Sequence, residues 1–178
     1  AALLDAVVDQ QLDDDQLVDH SLLTVWDLEQ GERRYGPVDV PFDARSVSIN
    51  DDGSLVAVGG GAEGETHVYD GVTGERRAEI DSLGRPEDAF YCCNTQPVVF
   101  HPDGTLVVGS MAGPIRFVDP TDGSVSRSID APPFTADWSL LLSDDGTTLV
   151  TLGSADRSEP VVTVYDLETY EPIAGPYP

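Results

Sequence analysis

The fold of this chain is decided by Val68-Tyr69-Asp70, two hydrophobic residues closed by an aspartate, with Gly74 four residues later. The triplet has three further copies in the 178 residues: Val25-Trp26-Asp27, Phe117-Val118-Asp119 and Val164-Tyr165-Asp166. The intervals between successive aspartates are 43, 49 and 47 residues. Recurrence at roughly 40 to 50 residues is typical of chains that repeat one supersecondary unit. The sequence therefore predicts four copies of a single structural unit.

Two turn signals recur at fixed places in these copies. The first is an Asp-Gly turn, which occurs as Asp51-Asp52-Gly53, Pro102-Asp103-Gly104 and Asp144-Asp145-Gly146. Asp-Gly between apolar runs is a strong hairpin signal, and proline suits the second position of a type I turn. The second signal follows each triplet and is carried by Gly31, Gly74 and Gly123, with Tyr170 in the last copy. Each unit is therefore expected to contain two tight hairpins.

We interpret each unit as four antiparallel strands, a to d, with the Asp-Gly turn between a and b and the later turn between c and d. An apolar strand follows each first turn, at Leu55 to Val58, Leu106 to Val108 and Leu149 to Leu152. The predicted fold class is all-β, with about four β-propeller blades and no helix.

The predicted blades cover about residues 1–41 (partial), 42–84, 85–131 and 132–178. The first has Leu3 to Val8 as strand b and Ser21 to Leu28 as strand c, and strand a has no counterpart. Since closed propellers typically have about 4 to 8 blades, we expect the chain to be part of a larger propeller.

The triplets, each preceded by an apolar strand and a glycine turn, resemble the WD40-repeat family over essentially the whole chain. Trp26-Asp27 is the one literal copy of the family dipeptide, and no repeat opens with Gly-His. Degenerate repeats, arginine without lysine and an incomplete blade count are similar to the propeller regions of large bacterial signalling ATPases and regulators, especially actinobacterial ones. The resemblance implies a module within a larger protein.

The charge of the chain limits its partners. Aspartate and glutamate number 33 against 9 basic residues, all arginine, and the net charge is −24. Such a surface repels phosphate backbones and anionic membranes, so neither nucleic acid nor membrane is an expected partner. A protein partner with a basic surface fits better. The acidity itself has two explanations, a halophilic surface or a high-GC genome, and both stay open.

The two cysteines predict neither a disulfide framework nor a metal cluster, because Cys92 and Cys93 are adjacent and neighbours on a strand point to opposite faces. No apolar run approaches a membrane span and no signal peptide opens the chain. We therefore expect a soluble, cytoplasmic protein.

The partner is expected at the face where the b–c and d–a loops lie, because their lengths vary while the other turns stay short. The b–c loops are Gln10 to His20, Gly60 to Glu65 and Ser154 to Glu159. Loops on a rigid scaffold concentrate binding residues, and aromatic and arginine side chains are common anchors. The predicted partner-binding residues are Arg85, Phe90, Tyr91, Trp138, Asp14 and Asp15.

Other motifs have simpler explanations. Gly59, Gly61 and Gly64 match a dinucleotide-binding pattern, but strand c begins at Thr66, where that fingerprint requires a helix. The loop from Asp9 to His20 is rich in carboxylates, yet its spacing does not fit an EF-hand. His67 and His101 have no second ligand at metal-binding spacing, so structural or solvent-facing roles are expected. We predict no catalytic residue, no metal site and no cofactor.

The sequence thus favours a non-catalytic protein-interaction or regulatory scaffold within a larger multidomain protein. One alternative is a propeller enzyme, similar to a lactonase or dehydrogenase, with a metal or cofactor in the central channel. The other is a sensor propeller that restrains a signalling ATPase. Further blades or domains of the same parent chain are expected partners in each case.

Overall fold

A computed structural model describes residues 4–13, 16–61, 64–80, 96–109, 114–131, 136–154 and 160–177. For residues 4–13, 16–19, 136–138, 154, 160 and 176 the description covers the backbone alone. All of the regular secondary structure in these ranges is β-strand. Among the described residues, no helix is long and apolar enough to span a bilayer. The strands form four antiparallel sheets, which we number 1 to 4 along the chain.

The strands of each sheet neighbour one another in chain order, so each sheet is a simple meander. Sheet 1 contains β1 (Leu4–Asp13), β2 (Gln16–Asp27) and β3 (Glu32–Val40). Sheet 2 contains β4 (Ala44–Ile49), β5 (Leu55–Gly60), β6 (Glu65–Asp70) and β7 (Arg76–Ile80). Sheet 3 contains β8 (Val98–Phe100), β9 (Leu106–Val108), β10 (Ile115–Val118) and β11 (Val125–Ile129). Sheet 4 contains β12 (Ala136–Leu142), β13 (Thr148–Ser154), β14 (Pro160–Asp166) and β15 (Glu171–Tyr177). The all-β fold class with four-stranded antiparallel units is confirmed.

The β1–β2 hairpin contradicts one prediction. The stretch Gln10 to His20 is expected to be a loop, but its described residues continue both strands as far as the pair of Asp13 and Gln16, with a register shift between Gln11 and Asp13. The polar composition suggested a loop, but ladder hydrogen bonds are made by the backbone, so a hairpin can run on through polar residues once its register is set. Asp13 and Asp19 of this stretch therefore lie on two paired strands.

The repeated triplet places its two hydrophobic side chains on opposite faces of the third strand of a blade. In sheet 2, Val68 is buried against sheet 3, and Tyr69 is buried against sheet 1. In sheet 3, Phe117 packs towards sheet 4 and Val118 towards sheet 2. The first residue of the triplet thus contacts the following sheet, and the second contacts the preceding one.

Three apolar layers result, each held between successive sheets. Their buried members are Leu23, Val25, Val40, Phe42, Ala44, Val56, Val58 and Tyr69 between sheets 1 and 2; Ala57, Val68, Ile80, Val98, Phe100, Leu106, Val108 and Val118 between sheets 2 and 3; and Val107, Ile115, Phe117, Ile129, Leu140, Leu149, Tyr165 and Leu167 between sheets 3 and 4. Burying a side chain of this size stabilises the fold by about 1.5–3 kcal/mol. Because each layer needs both of its sheets, the stability of a blade depends on its neighbours.

The aspartate that closes each triplet caps the following turn. Asp70 Oδ1 accepts the backbone N–H of Val72 at 2.8 Å and of Thr73 at 2.7 Å. The guanidinium of Arg77, together with these amides, holds the pKa of Asp70 far below its ordinary value. Equivalent amide bonds are accepted by Asp27, Asp119 and Asp166. Asp is favoured here because its carboxylate satisfies turn amides that the ladder leaves unpaired.

The earlier turn of sheets 2, 3 and 4 is capped in the same way. Asp52, Asp103 and Asp145 each accept the backbone N–H of the residue two positions later, at 2.8, 2.9 and 3.0 Å. Hydrogen bonds from the side chain of Ser143 and from Thr147 lower the pKa of Asp145 to about 2. In both turns of the repeat, the aspartate therefore has the same role, which is to accept backbone N–H groups of its own turn.

The residue that ends the c–d turn has a left-handed backbone in every blade. Gly31, Gly74 and Gly123 have φ of 67°, 76° and 75°. Tyr170, which replaces the glycine in sheet 4, adopts the same conformation with φ of 62°. A side chain at positive φ is disfavoured because its β-carbon crowds the backbone. The conformation of Tyr170 therefore needs support from its contacts.

Serine side chains join the first strands of sheets 2 and 3. Ser46 Oγ accepts the backbone N–H of Val98, and Ser48 Oγ accepts that of Phe100, both at 3.0 Å. These bonds give partners to β8 amides that face away from the ladder of their own sheet. The register of one sheet is thereby fixed against the next.

The glycine pattern at Gly59, Gly61 and Gly64 connects two strands, since β6 begins at Glu65. Gly59 is buried within β5, and a β-carbon there would lie 2.2 Å from the carbonyl oxygen of Gln96. Glycine at this position lets the segment before β8 approach the backbone of sheet 2. The pattern serves close packing between sheets.

His67 is a core residue, at 3% exposure, in the layer between sheets 1 and 2. Its ring lies edge-on to Phe42 with centroids 4.9 Å apart, and its Nδ1 is 3.3 Å from the hydroxyl of Tyr69. Burial, helped by the charge of Arg76, lowers the pKa of His67, and the exposed carboxylate of Glu79 opposes this shift only weakly. The structural role expected of this histidine is the one it has.

We expect the contribution of His67 to the unfolding free energy to fall as pH is lowered from 8 to 5.5, so that the profile of His67→Gln differs in slope from that of the unsubstituted chain. The unfolded imidazole takes up its proton near pH 6.5, whereas the folded one does so only at lower pH. Stability that is complete above about pH 6.5 is therefore lost as pH falls towards the folded pKa. Urea unfolding at constant ionic strength measures both profiles.

The variant at pH 8 provides the control, because the imidazole is neutral there in both states and any loss reports packing and the contact with the Tyr69 hydroxyl. Profiles that stay parallel from pH 8 to 5.5 would show that His67 does not contribute to the pH dependence.

Candidate protein-interaction surface

The side chains of sheet 4 that point away from sheet 3 form a continuous apolar surface. The strand register places Leu141 beside Val150 and Val150 beside Val164, with Leu152 beside Val162 in the next row. Leu141 is 63% exposed and Leu152 is 39% exposed, while the three valines are half-buried. We call these five residues the outer face of sheet 4.

The matching positions in the other blades are covered. They are Ala57 and Val68 in sheet 2, which are 0% exposed beneath sheet 3, and Val107 and Phe117 in sheet 3, which are 0% and 5% exposed beneath sheet 4. The outer face therefore has the composition of a buried face, with no element of the described ranges packed over it. Contiguous exposed apolar surface of this kind marks sites of association.

Sheet 1 shows the reverse arrangement at the other end of the array. Trp26 is the second residue of its triplet and is 38% exposed, whereas Tyr69, Val118 and Tyr165, at the same position, are buried against a preceding sheet. Trp26 of sheet 1 and Leu141 of sheet 4 are both exposed to solvent. The described sheets thus leave an unpaired hydrophobic side chain at each end.

Negative charge lies at one end of the apolar surface. Exposed carboxylates occupy the two turns at one end of sheet 4, at Asp144, Asp145 and Glu168. The low pKa of Asp145, which its hydrogen bonds cause, keeps this carboxylate ionised in all but strongly acidic solution. A partner with an apolar centre and basic residues at its rim would complement both features.

A cavity of about 280 Å³ lies between the first strands of sheets 2, 3 and 4. Among the described lining residues only Arg45 is charged. The others either carry hydroxyl groups, as Ser46, Ser48 and Ser139 do, or are apolar, as Leu141 is. Imidazole and carboxylate are the usual ligands of a catalytic metal. Within the described ranges no group of three or more His, Cys, Asp or Glu side chains is placed to hold a metal ion.

Most residues predicted from the sequence to bind a partner lie outside the described ranges: Asp14, Asp15, Arg85, Phe90 and Tyr91. Trp138 lies in β12, where only its backbone is described. The structure therefore does not test whether these six residues bind a partner.

The outer face of sheet 4 was not identified from the sequence, although a signal for it exists. The run from Val161 to Tyr165 is hydrophobic on both faces of β14 apart from Thr163, and β13 carries leucine or valine at Leu149, Val150 and Leu152. Strands covered on one face alternate apolar and polar residues, and strands covered on both do not. The lack of alternation predicts a sheet that is covered on both sides.

No protein-family model matches the chain, and no curated protein matches it in sequence. Its similarity to known proteins is therefore structural.

Solved β-propeller structures share the fold. Hydrazine synthase of Kuenenia stuttgartiensis superposes with a TM-score of 0.65 at 20% sequence identity, over 86% of this chain and 42% of that chain. BamB from Moraxella catarrhalis superposes with a TM-score of 0.56 at 19% identity, over 97% of this chain and 51% of that chain. The chain thus spans about half the length, or less, of the propeller structures it matches. At these identities the likeness shows the fold alone.

Proposed function

We propose that this chain is a segment of a larger, WD40-like β-propeller protein and acts as a non-catalytic protein-interaction or regulatory scaffold module. The observation that carries the proposal is the outer face of sheet 4, with Leu141 at 63% and Leu152 at 39% exposure. The positions in sheets 2 and 3 that match Val150 and Val164 of this face are covered by the next sheet, so another blade would fit here. A cytoplasmic location is part of the proposal.

We propose that the occupant of the outer face is a further sheet of the same parent protein. Two observations support this choice. Successive sheets of this chain already bury their equivalent positions against each other, and the matched propeller structures are about twice as long as this chain or longer. Other partners, with basic residues that complement the charge of −24, would then bind the assembled propeller.

We expect Leu141→Asp combined with Leu152→Asp to lower the melting temperature of the full-length parent protein while leaving that of the isolated chain almost unchanged. In the parent, a buried carboxylate without a partner is strongly unfavourable. In the isolated chain the same side chains are exposed to water, and surface substitutions typically change stability by about 0.5 kcal/mol or less. Calorimetry on both proteins makes the comparison.

The matched control is Val125→Asp on β11, since Val125 is 47% exposed but lies outside the outer face. It should be neutral in both proteins. Equal melting temperatures for parent and double variant would contradict the proposed occupant, and binding of a separate protein to the isolated chain, abolished by the double variant, would indicate a partner in place of a blade.

A further inference from the structure

The left-handed Tyr170 packs against two residues of the neighbouring sheet. Its ring meets Phe117 edge-on, with centroids 5.4 Å apart, and the guanidinium carbon of Arg127 lies 4.0 Å from the ring centroid. The second distance is that of a cation–π contact. Non-glycine residues held in a disfavoured backbone conformation concentrate at binding sites, which makes the surroundings of Tyr170 a place to look for one.

These residues border a cavity of about 140 Å³ between sheets 3 and 4. Its lining consists of His101, Asp103, Thr105, Phe117, Ser126, Arg127 and Tyr170. The cavity opens where the short turns of the two sheets meet, away from the outer face of sheet 4. It is large enough for a small polar group, because one water molecule occupies about 30 Å³ in the liquid.

Among the described residues, Arg127 lacks the carboxylate partner that three other arginines of this acidic chain have. Arg45, Arg76 and Arg77 pair with carboxylates of Asp43, Glu79 and Asp70. Across the described ranges no carboxylate forms an ion pair with Arg127, although the chain contains 33 acidic residues. The ring of Tyr170 contacts the guanidinium, whose N–H donors remain able to bind a planar acceptor.

The other polar groups of the cavity already have partners. His101 Nε2 lies 2.9 Å from the carbonyl oxygen of Gly146, and its Nδ1 lies 2.8 Å from Asp103 Oδ1. Asp103 Oδ1 also accepts the backbone N–H of Thr105 at 2.9 Å, and Ser126 Oγ donates to the carbonyl of Phe117 at 3.0 Å. Arg127 is thus the lining group whose hydrogen-bond donors the described residues leave available.

We propose that this cavity binds a carboxylate carried by a partner polypeptide, with Arg127 as the anchoring cation and Tyr170 as the residue that positions it. A singly charged carboxylate matches one guanidinium in charge and in its two-oxygen geometry. A doubly charged phosphate is less suitable, because Asp103 lies in the lining and the chain carries a net charge of −24. The site does not depend on the proposed function, since it shares no residue with the outer face of sheet 4.

The test is a titration of the isotope-labelled chain with sodium acetate at constant ionic strength, followed through the side-chain Nε–Hε resonances of its arginines. We expect a saturable shift at Arg127 in the millimolar range, as befits a ligand of four heavy atoms. Arg33, an exposed arginine of β3 outside the cavity, serves as the internal control and should show no saturation.

Two variants separate the roles of the residues. Arg127→Lys keeps the charge but loses the two-donor geometry, so acetate affinity, followed at the Ser126 amide, should fall at least about fivefold. Tyr170→Gly restores the residue that the other three turns carry, so the fold is retained while the ring that positions Arg127 is removed. The Arg127 shift in this variant should no longer saturate.

The remaining arms compare ligands. N-acetylglutamate α-amide offers a side-chain carboxylate, and N-acetylglycine offers a terminal one. Tighter binding of either than of acetate supports the proposal and shows which kind of carboxylate the partner polypeptide supplies. Tighter binding of inorganic phosphate than of acetate would overturn the assignment to carboxylates. Equal, unsaturated shifts at Arg33 and Arg127 would show that there is no site.

Discussion

Gly59→Ala should lower the unfolding free energy by about 3 kcal/mol, although the substitution adds a single carbon atom. The new β-carbon would lie 2.2 Å from the carbonyl oxygen of Gln96 and 2.9 Å from a methyl group of Val98. One of these neighbours is backbone, so the clash cannot be relieved by a change of rotamer. The sheets must separate or β5 must bend, and either change disturbs the layer between sheets 2 and 3. Urea unfolding measures the loss.

Gly31→Ala is the matched control for this effect. Gly31 has φ of 67°, and a β-carbon there would meet no atom within 4 Å. Its substitution therefore reports the left-handed backbone alone, at about 1–2 kcal/mol. A loss at Gly59 no greater than the loss at Gly31 would show that the sheets can adjust to the added methyl group, and the close approach would not be a packing constraint.

Leu149→Ala should lower the unfolding free energy by about 2–5 kcal/mol, the range measured for a large-to-small change in a packed core. Leu149 is fully buried in the layer between sheets 3 and 4, in the same cluster as Val107, Phe117 and Tyr165. Sheet 4 has no other described sheet to pack on, so the cavity left by the side chain weakens its one interface. Thermal and urea unfolding should both register the change.

The control lies on the neighbouring strand of the same sheet. Leu141 is 63% exposed, and Leu141→Ala should change the unfolding free energy by about 0.5 kcal/mol or less. The same chemical change on opposite faces of one sheet thus separates the covered face from the outer face. Similar losses for both variants would mean that the outer face is buried in solution, for example by self-association, which sedimentation analysis would detect.

The architecture could be predicted because its signals are local. An Asp-Gly pair with apolar flanks defines a hairpin within a few residues, and the amides of each turn are capped by an aspartate close to them in sequence. Two-residue alternation in the triplet then assigns side chains to opposite faces. These properties depend on the nearest residues along the chain, so they can be read before the fold is known.

The interaction surfaces could not be predicted in the same way, because they depend on which sheets become neighbours. Val164 and Val68 have the same place in the repeat, yet Val68 is fully buried and Val164 is half-buried. The contact of Arg127 with Tyr170 joins two blades, and no local pattern indicates it. The polar stretch after Val8 misled the prediction, since composition was the only guide to whether β1 continued.

The turn caps change the meaning of the acidity of this chain. Eight aspartates, at positions 27, 52, 70, 103, 119, 122, 145 and 166, bind backbone amides of tight turns. These carboxylates stabilise the turns, and this role is independent of salinity and of genome composition. An effort to neutralise the surface, for crystallisation or for expression, should therefore spare these eight positions and replace acidic residues elsewhere.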